Sequence, residues 1–194
     1  MITLTAAIFA GGESRRMGTD KALLPWEGKP LWQRQLDTLR QLSPQYLVIS
    51  ARQAPPWLPP ELDVVLDSPL ACGPMAGLIA VLEQLKTSHL LILAVDMPHM
   101  TAEHLQKLAS FSRPGCGVIP VCDGSMEPLG AVYPVEAILA VRTSIPDNFS
   151  LNRLNETLIK DGLMRKFPVA GSERSLYHNV NSPADITGGR QGAG

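Results

Sequence analysis

The sequence predicts an α/β protein, a three-layer α/β/α sandwich built around a mostly parallel sheet. Two observations carry this prediction. Short apolar stretches rich in β-branched residues alternate along the chain with segments whose apolar residues recur at helical spacing. The most apolar stretch, residues 89–95, also lacks polar alternation, which is typical of a central parallel strand covered on both faces.

The chain begins with a predicted strand, a glycine loop and a helix. Residues 3–10 are rich in β-branched and small residues and lead directly into Gly11 and Gly12, as expected of a buried strand that ends in a tight loop. Pro30 opens the first helix, because a first helical turn tolerates proline and the apolar residues after it recur at helical spacing. Residues 46–50 are predicted to form the second strand.

The middle of the chain repeats this alternation. Residues 54–60 include two proline pairs, which predict a rigid, extended connector. A short strand at residues 63–66 precedes a helix at residues 73–86, whose apolar residues share one face. The apolar strand at residues 89–95 then ends abruptly at Asp96.

The last part of the chain completes a single predicted domain. Thr101 can cap a helix that runs through residue 110, because its hydroxyl accepts a hydrogen bond from the first helical turn. The remaining predicted elements are strands at residues 117–121 and 129–133, helices at 135–143 and 151–160, and a strand at 164–169. We expect one domain over residues 1–186, followed by a flexible glycine-rich tail at residues 187–194.

Composition excludes several classes of protein. The chain has 194 residues, with 17 Lys and Arg against 18 Asp and Glu, so a net charge of −1 disfavours binding to nucleic acid. No apolar run reaches the roughly 18 to 20 residues of a membrane helix, so no membrane partner is expected. Its three cysteines include no C-x-x-C pair, which predicts neither a disulfide framework nor a zinc site and favours a cytoplasmic location.

The glycine loop after the first strand is a candidate anion-binding site. Its small residues let backbone N–H groups approach a ligand, and Arg15, Arg16 and Lys21 add three cations within one short segment. A triphosphate is the natural ligand, although the glycines match neither the dinucleotide-binding motif nor the P-loop. A simple strand-to-helix turn would explain the glycines but not the clustered cations.

Two aspartates follow predicted strands at the edge where ligands bind in parallel sheets. Asp96 follows the most buried strand and is a candidate ligand for Mg²⁺, which takes oxygen ligands and often shares them with phosphates. Asp67 follows the third strand, where a turn-forming role is the alternative. The four histidines have no spacing that indicates a metal site or a catalytic triad.

Residues 9–25 and 28–31 resemble the signature of the molybdenum cofactor guanylyltransferase family of nucleotidyltransferases. Four further stretches resemble later motifs of that family in the same order: residues 67–78, 96–98, 127–129 and 179–183. The resemblance implies a Rossmann-like nucleotidyltransferase sheet. It also implies an enzyme that transfers GMP from GTP to the phosphate of molybdopterin, with Mg²⁺ as cofactor and pyrophosphate as the leaving group.

The resemblance implies a role for each matching residue. The implied residues are Phe9, Ala10, Gly11, Gly12, Lys21, Asp67 and Asp96 for nucleotide binding, Lys21, Arg16 and Asp96 for catalysis, Asp96 for the metal, and Asn179 and Asn181 for the pterin side. The sequence departs from the family pattern at two of the relevant positions. Phe9 stands where leucine is usual, and Ser50 stands where some members have an asparagine.

Three other functions are considered at this point, and the first, a sugar-1-phosphate nucleotidyltransferase, is disfavoured by the short chain, which leaves little room for a sugar-recognition domain. A cytidylyltransferase acting on the same pterin would share most motifs, but its first motif tends to read Ala-Ala-Gly where this chain has Ala-Gly-Gly at residues 10–12. A non-catalytic adaptor that binds nucleotide is disfavoured by the presence of both Lys21 and Asp96. The expected partners are GTP, molybdopterin and molybdoenzyme-maturation proteins, and the expected assembly is a monomer or a weak homo-oligomer.

Overall fold

The computed structural model describes residues 2–11, 20–144, 150–180 and 185. Its strands are β1 (Leu4–Phe9), β2 (Pro25–Trp26), β3 (Lys29–Pro30), β4 (Tyr46–Ala51), β5 (Asp63–Leu66), β6 (His89–Ala94), β7 (Gly117–Cys122), β8 (Ser125–Met126), β9 (Val132–Pro134) and β10 (Met164–Pro168). Its helices are α1 (Leu31–Arg40), α2 (Pro74–Glu83), α3 (Ala102–Phe111), α4 (Ala137–Ser144) and α5 (Leu151–Lys160). Short 3-10 helices cover Lys21–Leu23, Pro128–Gly130 and Gly171–Tyr177.

Most of the strands form one sheet with the order β10-β7-β9-β6-β1-β4-β5, to which β8 adds by pairing with β7. The pairs β6–β1, β1–β4, β4–β5 and β10–β7 are parallel, whereas β9 runs antiparallel between β6 and β7. The mostly parallel sheet predicted from the sequence is therefore confirmed. Its carboxyl edge gathers the segments that follow β1, β4, β5 and β6.

The helices cover both faces of this sheet and so complete three layers. Leu36 of α1 and Leu105 of α3 belong to one buried cluster, and Leu78 of α2, Val141 of α4 and Leu154 of α5 belong to the other. Residues 90–93 of β6 alternate between the two clusters, and all six residues of this strand are buried. A strand enclosed in this way has no polar alternation, which explains the uninterrupted apolar stretch in the sequence.

The local differences from the predicted elements have physical causes. Pro30 ends a small β2–β3 hairpin and caps α1 rather than lying inside it. The hairpin turn has positive φ at Glu27 and Gly28, as a two-residue turn between twisted strands requires. The stretch predicted as a strand from residue 129 begins instead with the 3-10 helix Pro128–Gly130, and the strand starts at Val132.

The predicted tail, residues 187–194, lies outside the described residues. Within the part of the chain that is described, none of the helices combines the length and the apolar character needed to cross a membrane.

Candidate active site

A cavity of about 670 Å³ lies at the carboxyl edge of the sheet. Open parallel sheets bind ligands at this edge, because the loops that follow neighbouring strands gather there. Six of the residues that the sequence singled out line the cavity: Phe9, Ala10, Gly11, Lys21, Asp67 and Asp96. The structure thus brings together residues that are far apart in the sequence.

The segment after β1 forms one wall of the cavity. The Ala10 N–H donates a hydrogen bond to the Ser50 carbonyl, 2.9 Å away, so the chain leaves β1 still paired to β4. A Cβ atom at Gly11 would lie 3.1 Å from Asp67 Oδ2, and glycine therefore allows the backbone to approach this carboxylate closely. Gly12, Arg15 and Arg16, the other candidates in the loop, lie outside the described residues.

Lys21 reaches the cavity from a short 3-10 helix that is fixed at its start. The Asp20 carboxylate caps this helix by accepting a hydrogen bond of 3.0 Å from a backbone N–H of the turn. Asp20 Oδ2 also accepts a hydrogen bond of 2.8 Å from the Trp57 indole N–H, and Trp57 stacks on Trp32 of α1 with ring centroids 5.1 Å apart. The proline-rich connector thus supports the start of the short helix from which the Lys21 side chain extends.

Asp96 lies in the turn that follows β6 and pairs with Lys21. Lys21 Nζ is 3.0 Å from Asp96 Oδ2, and the two side chains are only 21% and 19% exposed. Because the pair is largely removed from water, its attraction is stronger than that of a surface ion pair. Among the described residues, no group of three or more His, Cys, Asp and Glu side chains is arranged to hold a metal ion.

Asp67 faces the same cavity from the end of β5. Its backbone N–H donates to the Ala51 carbonyl (3.0 Å), and its Oδ1 accepts a hydrogen bond of 3.3 Å from the Ser50 hydroxyl. Burial raises the pKa of the Asp67 carboxyl, while the Ser50 hydrogen bond and the positive charge of Arg52 oppose this shift. The carboxylate therefore has cavity contacts beyond those of a turn-forming aspartate.

Of the two candidate pterin residues, Asn179 lies beside the Asp96 turn rather than in the cavity wall. The Val180 N–H donates a hydrogen bond of 2.8 Å to the Asp96 carbonyl, which places the neighbouring Asn179 close to this turn along the chain. Asn179 is exposed and is not among the residues that line the cavity. Asn181 lies outside the described residues.

Sequence reasoning noted Ser50 only as a departure from the family pattern and gave Arg52 no role, although both residues line the cavity. The same strand-end argument that selected Asp67 and Asp96, applied to the end of β4, would have found them. Sequence reasoning also missed Gly77 of α2, where a Cβ atom would lie 2.5 Å from Ser50 Oγ and 3.3 Å from Asp67 Oδ1. Glycine at this position lets α2 approach the site closely.

A mostly parallel sheet with a cavity at its carboxyl edge and a lysine–carboxylate pair in that cavity are typical of nucleotide-binding α/β proteins. Comparison with known families assigns the chain more closely. The family model of the MobA-like NTP transferase domain matches residues 6–158, which is most of the chain. The protein belongs to this family.

Individual relatives agree with this assignment over nearly the whole chain. The probable molybdenum cofactor guanylyltransferase of Opitutus terrae is 34% identical, and the match covers 94% of this chain and 92% of that protein. The molybdenum cofactor guanylyltransferase of Xanthomonas euvesicatoria pv. vesicatoria is 32% identical and covers 92% and 90%. The family resemblance inferred from the motifs is thereby confirmed.

A solved structure supports the fold independently. The crystal structure of molybdopterin-guanine dinucleotide biosynthesis protein A from Archaeoglobus fulgidus matches with a TM-score of 0.70 at 24% identity. The match covers 94% of this chain and 95% of that one, so the two share their architecture over almost their full length.

Proposed function

We propose that this protein is a nucleotidyltransferase that transfers GMP from GTP to the phosphate of molybdopterin and releases pyrophosphate. The observation that carries the proposal is the Lys21–Asp96 pair, which lies in the cavity of a chain that matches molybdenum cofactor guanylyltransferases over more than nine-tenths of its length. In this reaction an oxygen of the pterin phosphate forms a bond to the α-phosphorus of GTP. The bond from that phosphorus to the bridging oxygen breaks, and the electron pair leaves with pyrophosphate.

This reaction needs little help from a general base. A phosphate monoester has a second pKa of about 6, so the attacking oxygen is already an anion at neutral pH. None of the residues lining the described cavity is a histidine. The main barrier is the repulsion between two anionic phosphates, and a cationic side chain inside a partly closed cavity lowers it by electrostatic stabilisation.

The chain's own residues divide this work between them. The Lys21 ammonium group holds the triphosphate and stabilises charge on the leaving pyrophosphate, and Arg16 is proposed to help from the glycine loop. Backbone groups of residues 9–12 contact the guanine or the ribose, as close approach at Gly11 permits. Asp67 binds the nucleotide, and Asn179 and Asn181 line the pterin side.

The residues of this site fit a divalent metal ion, and we propose Mg²⁺ held by Asp96. Mg²⁺ usually keeps several water ligands and is bound through one or two carboxylates together with substrate phosphates, so a single protein carboxylate suffices. When bound, the ion supplies positive charge to the phosphate oxygens. Because Lys21 Nζ lies 3.0 Å from Asp96 Oδ2, the ammonium group must exchange this partner for a phosphate when substrate binds.

GTP is proposed over CTP because residues 10–12 read Ala-Gly-Gly, and a Cβ atom in place of the middle glycine, Gly11, would lie only 3.1 Å from Asp67 Oδ2. A direct test measures pyrophosphate release from GTP, CTP and ATP in parallel, with Mg²⁺ and with molybdopterin present or omitted. We expect release from GTP only, and only when the pterin is present. Preference for CTP would contradict the base assignment, whereas GTP binding without release from any nucleotide would favour the non-catalytic adaptor.

Gly77→Ala is expected to weaken GTP binding about tenfold, because the new methyl group displaces the Ser50 hydroxyl and the Asp67 carboxylate. Overpacking costs about 1–3 kcal/mol, while alanine gains about 1 kcal/mol over glycine inside a helix. The free energy of unfolding should therefore fall by only about 0–2 kcal/mol. Isothermal titration with GTP and a denaturant series measure the two effects separately.

Gly171→Ala is the matched control, since nothing lies within 4 Å of a Cβ atom at Gly171. This variant should bind GTP like the wild type. If Gly77→Ala also binds GTP with unchanged affinity, α2 does not limit the nucleotide site in the way proposed.

A further inference from the structure

A glutamine inside α1 contacts the backbone of the turn that carries Asp96. Gln35 is fully buried, and its Nε2 lies 2.7 Å from the Met97 carbonyl oxygen, 3.3 Å from that of Ala94 and 3.5 Å from that of Val95. A side-chain amide has two N–H groups, so one donates to Met97 and the other is shared by Ala94 and Val95. Three acceptors around one atom also identify it as the nitrogen rather than the oxygen of the amide.

The other carbonyls of this turn are held as well. The Asp96 carbonyl accepts from the Val180 N–H at 2.8 Å, and the Pro98 carbonyl accepts from Arg34 Nε. Each carbonyl from residue 94 to residue 98 therefore has a donor. Adjacent residues of α1, Arg34 and Gln35, supply donors to four of these five carbonyls. Such a network keeps a turn in one conformation.

Stability alone does not favour glutamine at this position. Among the described residues, Gln35 Oε1 has no hydrogen-bond partner although it is buried, and an unpaired buried oxygen carries a desolvation penalty. The neighbouring buried positions of the helix hold Leu31, Leu36 and Leu39, which pack without such a penalty. What glutamine adds over an apolar residue is the set of hydrogen bonds to the Asp96 turn.

We infer that Gln35 is a positioning residue, which orients the Asp96 carboxylate toward the metal and the nucleotide by holding the carbonyls on both sides of it. This inference rests on the proposed role of Asp96 in metal-dependent nucleotidyl transfer. Groups that orient a metal ligand without touching the metal typically affect metal affinity or activity by about 10- to 100-fold. A residue that only fills the core would change stability and leave metal affinity unaltered.

The test compares Gln35→Met, which keeps the length of the side chain but removes both donors, with Asn155→Leu as a matched control. Asn155 is also fully buried, donates to Tyr133 Oη at 3.1 Å and to the Leu151 carbonyl at 2.8 Å, and has an unpaired Oδ1. Both variants therefore lose a buried amide, but only one loses contacts to the Asp96 turn.

Two measurements do not depend on turnover: amide hydrogen exchange of residues 95–97, and Mn²⁺ binding to the protein–GTP complex followed by electron paramagnetic resonance. In Gln35→Met we expect exchange to be about tenfold faster and the Mn²⁺ dissociation constant to rise about 10- to 100-fold. We expect kcat to fall by a similar factor while the KM for GTP changes less than about threefold. Asn155→Leu should match the wild type in all four quantities, even if it unfolds at a lower temperature.

Asp96→Asn in the same Mn²⁺ assay separates failure of this inference from failure of the proposed function. If Asp96→Asn binds Mn²⁺ like the wild type, the proposed metal role of Asp96 is wrong and the Gln35 inference falls with it. If Asp96→Asn loses binding but Gln35→Met retains wild-type exchange, affinity and kcat, only the Gln35 inference is overturned. Equal effects in Gln35→Met and Asn155→Leu would also overturn the Gln35 inference, because they would show that Gln35 has only a structural role.

Arg34→Met tests the same contacts if Gln35→Met does not fold. The Arg34 side chain is 30% exposed, so its replacement leaves no closed cavity in the core. We expect exchange and Mn²⁺ affinity to change in the same direction but by less, since Arg34 donates to one carbonyl of the turn whereas Gln35 donates to three. Wild-type values for both quantities would then contradict the inference.

Discussion

Asp96→Ala is expected to abolish GMP transfer, with kcat reduced by about 10²- to 10³-fold or more, while the protein remains folded. The carboxylate is the proposed metal ligand, and the interactions it provides are strongest as charge develops on the phosphates. The loss of stability should stay below the value of about 3–5 kcal/mol expected when a fully buried ion pair is broken, because Lys21 is still 21% exposed at the cavity and can be hydrated there. Pyrophosphate release under saturating GTP and Mg²⁺, together with circular dichroism and thermal unfolding, measures both effects.

The chain offers a matched control for this experiment. Lys29 and Asp37 form a second lysine–aspartate pair, 2.7 Å apart, whose side chains are 57% and 37% exposed and which lies outside the cavity. Asp37→Ala should leave kcat and KM unchanged. Unchanged turnover in Asp96→Ala would remove Asp96 from the mechanism.

The order of strands and helices could be predicted from the sequence because the burial of each segment determines which of its residues are apolar and how they are spaced. The six-residue strand β6 is buried throughout, and all of its residues except His89 are apolar. The direction of β9 could not be predicted in this way. Val132–Pro134 is buried at every position, as a parallel strand would be, but it pairs antiparallel with both of its neighbours. Strand direction depends on which strands pair, and this is a property of the whole sheet.

The candidate site could be predicted only in part, for a similar reason. Asp67 and Asp96 follow strands, and the ends of parallel strands meet at one edge, so their proximity follows from the topology. Gln35 gives no comparable signal, because a glutamine in an amphipathic helix normally faces water. Its burial depends on how α1 packs over the end of β6, which no local pattern reports.

Lys21→Met is expected to weaken GTP binding about 10- to 100-fold, because a hydrogen bond to a charged group contributes about 1.5–3 kcal/mol and about 1.4 kcal/mol corresponds to a factor of ten. The effect should be much smaller for GMP, which lacks the β- and γ-phosphates. The difference between the two proteins should also shrink at high salt, where the Lys21 charge of the wild type is screened. Isothermal titration of both nucleotides into wild-type and variant protein measures these differences.

The same substitution should have the opposite effect on metal binding in the absence of nucleotide. Lys21 Nζ lies 3.0 Å from Asp96 Oδ2. The ammonium group therefore competes with a metal cation for this carboxylate and also repels the cation. Removing the ammonium group should therefore strengthen binding of Mn²⁺ alone while it weakens binding of GTP. General damage to the fold would weaken both, and Lys29→Met, at the surface pair with Asp37, should change neither. Weaker Mn²⁺ binding in Lys21→Met would contradict the exchange of partners proposed for Lys21.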